Sequence, residues 1–441
     1  MANGVEQRGA LKLKDWRVII LASLGGALEF YDFVIYGIFA VYIGAAFFPS
    51  TDPLSSMLAT FAVLAVGYLA RPLGGIVLSH FGDRYGRKRV FIFTILTMSL
   101  ATLGMGLLPT YAQWGAAAPL AMVGLRLIQG FCLGGELPGA ITYVTETAPR
   151  RFGFATGVIF FFVNTGVVAA TLLNLGLQEW MPDKVGEYGW RIAFVLGSAL
   201  GLVSFWLRLS LEETAAYRDL GQVKVKVPIG ELFRTSTPNV LVGIGALAAS
   251  GGFNGMLFGY TTAYLTRVLD YLPEDAARAQ NVALVVLSIG LITVAWLGDR
   301  MPRRLLLGFG ALIAVVFSFP FFQALQGHSV DLLLLFALAG LTASFFNGAS
   351  VGVIGDLFPT AIRFSGVALG FNIAFSVGGA LAPLASTYLV SQTGDPTSVA
   401  WWIVGAASLT LITSLVLNRF DGRIMREVNE KDVAAAPAQS T

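Results

Sequence analysis

This 441-residue chain is poor in charge and in thiols: 12% of its residues are Asp, Glu, Lys or Arg, one is Cys and two are His. At this length, so few charges set against 56% hydrophobic residues cannot cover a water-exposed surface, which excludes an ordinary soluble globular protein. A lone cysteine, Cys132, excludes an intramolecular disulfide, and in its apolar stretch it reads as a small packing residue. No His, Cys and carboxylate cluster has metal-ligand spacing, no Gly-rich loop ends in Lys-Ser/Thr, and no Gly-x-Ser-x-Gly elbow occurs. The sequence therefore predicts no cofactor, no metal, no direct ATP drive and no enzyme activity. The formal net charge of +3 carries topological information in such a chain, and implies no nucleic-acid partner.

What is present is long apolar runs. Twelve are long enough to cross a hydrocarbon core of about 30 Å as helices: 17–48, 55–80, 89–109, 117–147, 153–178, 189–209, 238–266, 279–297, 304–325, 331–355, 363–391 and 398–418. The first follows Arg8, Lys12, Lys14 and Arg17, and it is too long and too charged to read as a cleaved signal peptide. One set of loops holds most cations, including Arg84–Arg89, Arg150, Arg151, Arg218–Arg234, Arg300–Arg304, Arg363 and Arg419–Arg426. The other set holds Lys184, Arg267 and Arg278 beside several acids. The positive-inside bias then places both termini and the long central loop in the cytoplasm; the membrane expected for such a chain is the cell inner (plasma) membrane.

The chain repeats itself. Gly82-Asp83-Arg84-Tyr85-Gly86-Arg87-Lys88-Arg89 and Gly298-Asp299-Arg300-Met301-Pro302-Arg303-Arg304 each join two apolar runs at corresponding places in the two halves. Glu146-Thr147-Ala148-Pro149-Arg150-Arg151-Phe152-Gly153 is echoed by Asp356-Leu357-Phe358-Pro359 and Arg363-Phe364-Ser365-Gly366. Leu211–Thr237, with Lys224, Lys226 and Pro228, separates the halves. The predicted organisation is a cytoplasmic lead at 1–16, a six-helix bundle at 17–209, a loop at 210–237, a second six-helix bundle at 238–419 and a largely disordered tail at 420–441.

Intramembrane charges carry the functional signal, because each one is expensive and needs a partner or water. Glu29 and Asp32 share a face of the first span with Tyr36 one turn on, and Arg126, Gln129, Leu133 and Glu136 line one face of the fourth. At ~1.5 Å per residue Asp32 and Arg126 share a level, as do Arg71 and Glu136, so these are the expected pairs. They could be static salt bridges holding helices in register, and Arg71, followed by Pro72, could instead snorkel to the membrane surface. His80 reads as a solvated helix tip, and His328 has no assignment. The second half offers hydrogen-bonding groups: Asn254 and Tyr260 in span seven, Ser344 and Asn347 in span ten, Asn372 and Ser376 in span eleven. The expected division puts charge and protons in the first half and substrate shape in the second.

The repeated basic loop and the 6+6 arrangement resemble the major facilitator superfamily over nearly the whole span region. Leu28-Glu29-Phe30-Tyr31-Asp32-Phe33, Arg71-Pro72-Leu73-Gly74-Gly75, Arg126-Leu127-Ile128-Gln129-Gly130 with Gly134-Gly135-Glu136, and Gly189-Trp190-Arg191-Ile192 with Leu211-Glu212-Glu213-Thr214 are similar to its metabolite:proton symporter group. That group carries organic acids such as citrate, 2-oxoglutarate and shikimate, or zwitterions such as proline and betaine. The resemblance implies an all-α polytopic membrane protein of twelve transmembrane helices in two pseudo-symmetric bundles. The implied activity is alternating-access, proton-coupled uptake of a small anionic or zwitterionic metabolite, with protons and the lipid bilayer as the other partners and no protein partner. Expected proton-coupling residues are Asp32, Glu29 and Glu136. Expected substrate ligands are Arg126, Gln129, Tyr36, Asn164, Asn254, Tyr260, Asn347 and Asn372. The cytoplasmic gate would use Asp83, Arg84, Arg87, Glu146, Asp299 and Arg300, with Asp83 at the start of a second-half helix such as span eleven and Arg84 and Arg87 on Glu146.

Several positions depart from the pattern. Ser79 stands where the first loop motif usually opens with Gly, Pro302 replaces an inner Gly of the second copy, Asn164 occupies a position often held by Gln, and Pro138 precedes Gly139 beside Glu136. A drug or metabolite antiporter of the same fold is disfavoured, since no Gly-Pro pair lies around Asn164–Gly166. A sugar facilitator is disfavoured by the Asn418-Arg419-Phe420-Asp421-Gly422 ending. The duplicated halves argue against a polytopic enzyme or receptor.

Overall fold

The protein is described here from a computed structural model, which describes residues 13–49, 53–219 and 228–419. The expected basic lead before residue 13, the disordered tail from residue 420, and Lys224 and Lys226 lie outside the described residues. Among the described residues twelve helices are long and apolar enough to cross a membrane: α1 (Leu13–Ile38), α2 (Pro53–Tyr85), α3 (Arg87–Leu107), α4 (Ala117–Thr147), α5 (Phe152–Trp180), α6 (Trp190–Arg208), α7 (Thr237–Gly259), α8 (Pro273–Gly298), α9 (Arg303–Gln326), α10 (Leu332–Asp356), α11 (Arg363–Thr393) and α12 (Ala400–Val416). No strand occurs among the described residues. With no water to satisfy backbone groups in the hydrocarbon region, helices are the required solution for such runs. Pro72, Pro138, Pro320 and Pro383 are carried inside continuous helices.

The described residues form two compact units. One comprises Val18–Ala140 and Val158–Glu213. The other comprises 13–17, 141–157 and 214–419, so the ends of α4 and α5 around the 147–152 turn gather with the second half. Trp16 packs edge-on against Phe154 in that unit, and Thr145 lies against Gly355.

The same packing logic builds both units. Lipid supplies no hydrophobic drive between helices, so small residues that let backbones touch do the work. In the first unit a Cβ at Gly130 of α4 would fall on the Gly67 carbonyl of α2, and one at Gly166 of α5 would fall on the Ala27 carbonyl of α1. In the second, Gly340 of α10 meets the Ala283 carbonyl of α8, and Gly251 of α7 meets the Ala374 carbonyl of α11. Pairings α2–α4 and α1–α5 thus recur as α8–α10 and α7–α11, and α3–α6 recurs as α9–α12.

This packing yields a test on one helix. Gly130→Ala forces α2 and α4 apart and is expected to cost about 1–3 kcal/mol, read as a lower midpoint of thermal unfolding in detergent. Gly124→Ala, where nothing lies within 4 Å of the added methyl, should leave the midpoint unchanged. Equal midpoints for both variants would contradict the close approach.

Candidate functional site

In the first unit, α1, α2, α3, α4 and α6 bring together Glu29, Asp32, Arg71, Arg126, Gln129 and Glu136, all buried. Asp32 and Arg126 are not in direct contact; they are joined by a chain of hydrogen bonds. Thr102 Oγ1 of α3 donates to Asp32 Oδ2 at 2.7 Å, Gln129 Nε2 donates to Thr102 Oγ1 at 2.9 Å, and Arg126 Nη1 donates to Gln129 Oε1. The Arg126 guanidinium lies 3.8 Å from the centroid of the Tyr36 ring and 5.6 Å from that of Phe33, a cation–π seat. Arg126 keeps Nε and Nη2, Asp32 keeps Oδ1 and Tyr36 keeps its hydroxyl without a protein hydrogen bond. The expected ion pair is therefore a relay of two neutral side chains, with an arginine edge and a carboxylate oxygen left over. Two donors on the edge of a planar guanidinium match a carboxylate.

The second expected pair is replaced. Glu136 does not bind Arg71; its Oε1 takes Arg208 Nη1 at 2.5 Å and its Oε2 accepts from Thr94 Oγ1 at 2.5 Å. Arg208, the last residue of α6, turns inward, lies against the Phe91 ring at 3.7 Å and donates to the Phe91 and Leu21 carbonyls at 3.2 and 3.4 Å. Gly25 on α1 makes room for this guanidinium, since a Cβ there would overlap it. The depth argument compared backbone levels, and the length of an arginine side chain defeats it. The missed signal was a cation in the last turn of an otherwise apolar span, Phe205-Trp206-Leu207-Arg208-Leu209.

Glu29 lies one turn along α1 from Asp32. Neither of its oxygens accepts a hydrogen bond among the described residues, and Glu136, Arg71, Arg208 and Asp32 are the charged groups that act on it electrostatically. Arg71 forms no ion pair, so the expected snorkelling or pairing is replaced by a buried guanidinium with Nε and Nη2 open and the Tyr68 ring at 5.9 Å. Asn164 is also buried in this unit, on α5.

In the second unit the hydrogen-bonding groups pair with one another. Asn254 Nδ2 of α7 donates to Asn347 Oδ1 of α10 at 3.0 Å, Asn347 Nδ2 donates to the Ala343 carbonyl at 3.0 Å, and the Ser250 and Ser350 hydroxyls lie 3.1 Å apart. Asn372 Nδ2 donates to the Ala368 carbonyl at 2.9 Å, and Tyr260 is buried where α7 ends.

The helix-end motifs also make specific contacts. Asp299, after α8, accepts from the backbone N–H of Gly153 at 2.9 Å and of Phe154 at 2.8 Å, so it caps the start of α5. Arg303 holds that carboxylate at 3.0 Å, approaches Asp356 at 3.9 Å and sits 4.0 Å over the Phe152 ring. Glu146 accepts from Thr214 Oγ1 at 2.6 Å and pairs with Arg363 at 3.5 Å. Asp299 thus places an acid on the start of a helix, the kind of contact also expected of Asp83. Asp83 itself pairs with Arg87 at 3.2 Å, and Arg300 lies over the Trp296 ring at 3.5 Å. Arg84 is exposed beside Tyr85, 5.2 Å over its ring.

The model of the Major Facilitator Superfamily matches residues 22–325 and 279–437. The chain belongs to this superfamily. It is 31% identical over 431 residues to a proline/betaine transporter of Salmonella typhimurium, covering 93% of this chain and 85% of that one. It is 32% identical over 434 residues to the shikimate transporter of Escherichia coli, covering 93% and 96%. Its fold matches a solved proton:xylose symporter of the same superfamily with a TM-score of 0.76 at 16% identity, over 92% of this chain and 96% of that one. The chain is therefore a multi-pass membrane transporter with the major facilitator fold, and not an enzyme.

The Glu136–Arg208 pair generates a prediction. Arg208→Met strands a buried carboxylate and should destabilise the protein by about 3–5 kcal/mol. Adding Glu136→Leu should recover most of the loss, measured as thermal midpoints in detergent. A double variant no more stable than the single one would contradict the pairing.

Proposed function

We propose that this transporter is a proton-coupled symporter that takes up a small carboxylate-bearing metabolite, anionic or zwitterionic, across the cell's inner membrane with both termini in the cytoplasm. The observation that carries this reading is the buried chain Asp32–Thr102–Gln129–Arg126, with a free guanidinium edge at one end and a free carboxylate oxygen at the other. The named cargoes of the curated relatives fit it: proline, betaine and shikimate each carry one carboxylate.

The mechanism follows from electrostatics at low dielectric. Arg126 presents Nε and Nη2 to the cargo carboxylate in a bidentate fork. Once that carboxylate neutralises the guanidinium, Asp32 loses the positive charge that its hydrogen-bonded relay conveys, and a proton on Asp32 removes the surplus buried negative charge. Cargo and proton thus load together. Asp32 and Glu29, one turn apart, titrate as a coupled pair. Glu136, neutralised by Arg208, is a reserve proton site. Gln129 and Tyr36 orient Arg126, while Asn164, Asn254, Tyr260, Asn347 and Asn372 contribute hydrogen bonds to the remainder of the cargo.

Alternating access needs contacts that hold one gate and then let go. Asp299 on the start of α5 and Glu146 on Arg363 are such contacts, and Asp83, Arg84, Arg87 and Arg300 belong to the same cytoplasmic gate.

Purified protein in liposomes with an inward proton gradient should accumulate labelled proline, glycine betaine or shikimate. Asp32→Asn should abolish that accumulation and retain equilibrium exchange of cargo, which requires no net proton movement. Wild-type uptake indifferent to the gradient would overturn the symport reading. Asn or Gln variants at Asp32, Glu29 and Glu136 that all still concentrate cargo would overturn the proton assignment.

A further inference from the structure

The Arg126 station leaves a second arginine unexplained. Arg71 on α2 is 3% exposed, and among the described residues its Nε and Nη2 find no hydrogen-bond partner and it lies in no ion pair, although Glu29, the charged group that acts on it most strongly, is wholly buried with neither oxygen hydrogen-bonded. The partner that would have neutralised it, Glu136, is taken by Arg208 and Thr94. A static structural salt bridge between Arg71 and Glu29 would close to hydrogen-bonding distance, because two ions buried apart from one another are costly. These two do not meet at salt-bridge distance, and each keeps buried polar atoms without a hydrogen-bond partner among the described residues.

Their position is fixed by the backbone. A Cβ at Gly134 of α4 would fall on the Arg71 carbonyl, and one at Gly74 would fall on the Phe131 carbonyl, so α2 cannot slide here. Arg71 therefore sits at the level of Gly134, eight residues along α4 from Arg126 toward Thr147, or about 12 Å. Asp32 and Glu29 follow the same order on α1. The first unit thus holds two arginine–carboxylate stations along one line: Arg126 with Asp32, and Arg71 with Glu29.

Resting on the symport reading, we propose that Arg71 and Glu29 form a second, inner station, at which the cargo's carboxylate docks on the open Arg71 guanidinium on its way to the cytoplasm while Glu29 holds the accompanying proton. Arg71 offers Nε and Nη2 on one edge of its planar fork, the arrangement that takes a carboxylate bidentately. With cargo on Arg71, Glu29 has no cation left to answer and takes the proton that Asp32, one turn along α1, gives up as the cargo leaves Arg126 and that guanidinium again faces the relay. When the carboxylate departs, Glu29 gives that proton to cytoplasmic water and its charge returns to face Arg71. One proton enters with the cargo and one leaves, so charge balances at each stage. The titratable groups that interact electrostatically with this station are Asp32 on α1, Tyr68 on α2, Cys132 and Glu136 on α4 and Arg208 on α6. Of these, Glu136 and Arg208 neutralise each other, which leaves Arg71 as the cation open to cargo.

The test compares the two faces of the membrane. Liposomes holding the protein in one orientation are assayed with labelled shikimate, proline and glycine betaine, and half-saturation is measured separately from the outer and the inner face. Arg71→Gln should raise the inner half-saturation about tenfold, the scale of one lost charge-assisted contact, and change the outer value less than about twofold. Arg71→Lys should give an intermediate inner value, and it supplies the readout if Arg71→Gln does not fold. Equal shifts on both faces, or none, would overturn the inner station. So would a Glu29→Gln/Arg71→Gln variant with wild-type values on both faces, which would make Arg71 a structural counter-ion. Wild-type protein that moves all three solutes without regard to the proton gradient would instead refute the symport reading, and this station with it.

Discussion

A charge placed among membrane-spanning helices must be neutralised, hydrogen-bonded or put to use, and the first unit has to satisfy that condition for Glu29, Asp32, Arg71, Arg126, Glu136 and Arg208 together. Their opposite signs match, but they do not collapse into three ion pairs. One pair, Glu136–Arg208, closes fully and is wrapped by Thr94, Phe91 and the Leu21 carbonyl. A second couple communicates through Thr102 and Gln129, and the third stays open. The closed pair anchors α4 to α6 and leaves the other two couples free to exchange partners. The close contacts at Gly130, Gly134 and Gly166 serve the same constraint, since they bring α1, α2, α4 and α5 near enough for short polar side chains to bridge.

The second unit repeats the helix pairings without repeating the charge. Its interior is tied by Asn254–Asn347 and Ser250–Ser350, and its buried ions, Glu146, Arg303, Asp356 and Arg363 with Asp299, stand at helix ends. The helix-end ions have a different task. Asp299 substitutes for a capping residue at the start of α5, and a cap supplied from another helix can be withdrawn as a unit, whereas a cap from the helix's own sequence cannot.

Much of this was legible in the sequence. Hydropathy placed the spans because the hydrocarbon core fixes their length, and the polar face of α1 and that of α4 followed from helical periodicity. The duplication was visible in the two basic loops, whose acids and arginines were expected to make gate contacts. What failed was pairing. Asp32 and Arg126 were expected to pair directly, yet Gln129 and Thr102, an ordinary threonine in an apolar run that carried no sequence signal, stand between them. Arg208 was given no role in the sequence, and only the Gly25 gap and the inward turn of its side chain show that it belongs to Glu136. Level along a helix can be counted from residues, but side-chain reach and the rotation of one helix about another cannot.

The central claim is that occupation of Arg126 by a carboxylate drives a proton onto Asp32. The direct measurement is proton uptake by purified, detergent-solubilised protein in weakly buffered solution at neutral pH, followed with a pH indicator as the transported cargo is added. The account predicts that wild-type protein takes up protons in proportion to bound cargo, and that Asp32→Asn binds cargo with that uptake lost or much reduced. Cargo binding with no proton uptake in the wild type, or undiminished uptake in Asp32→Asn, would contradict it.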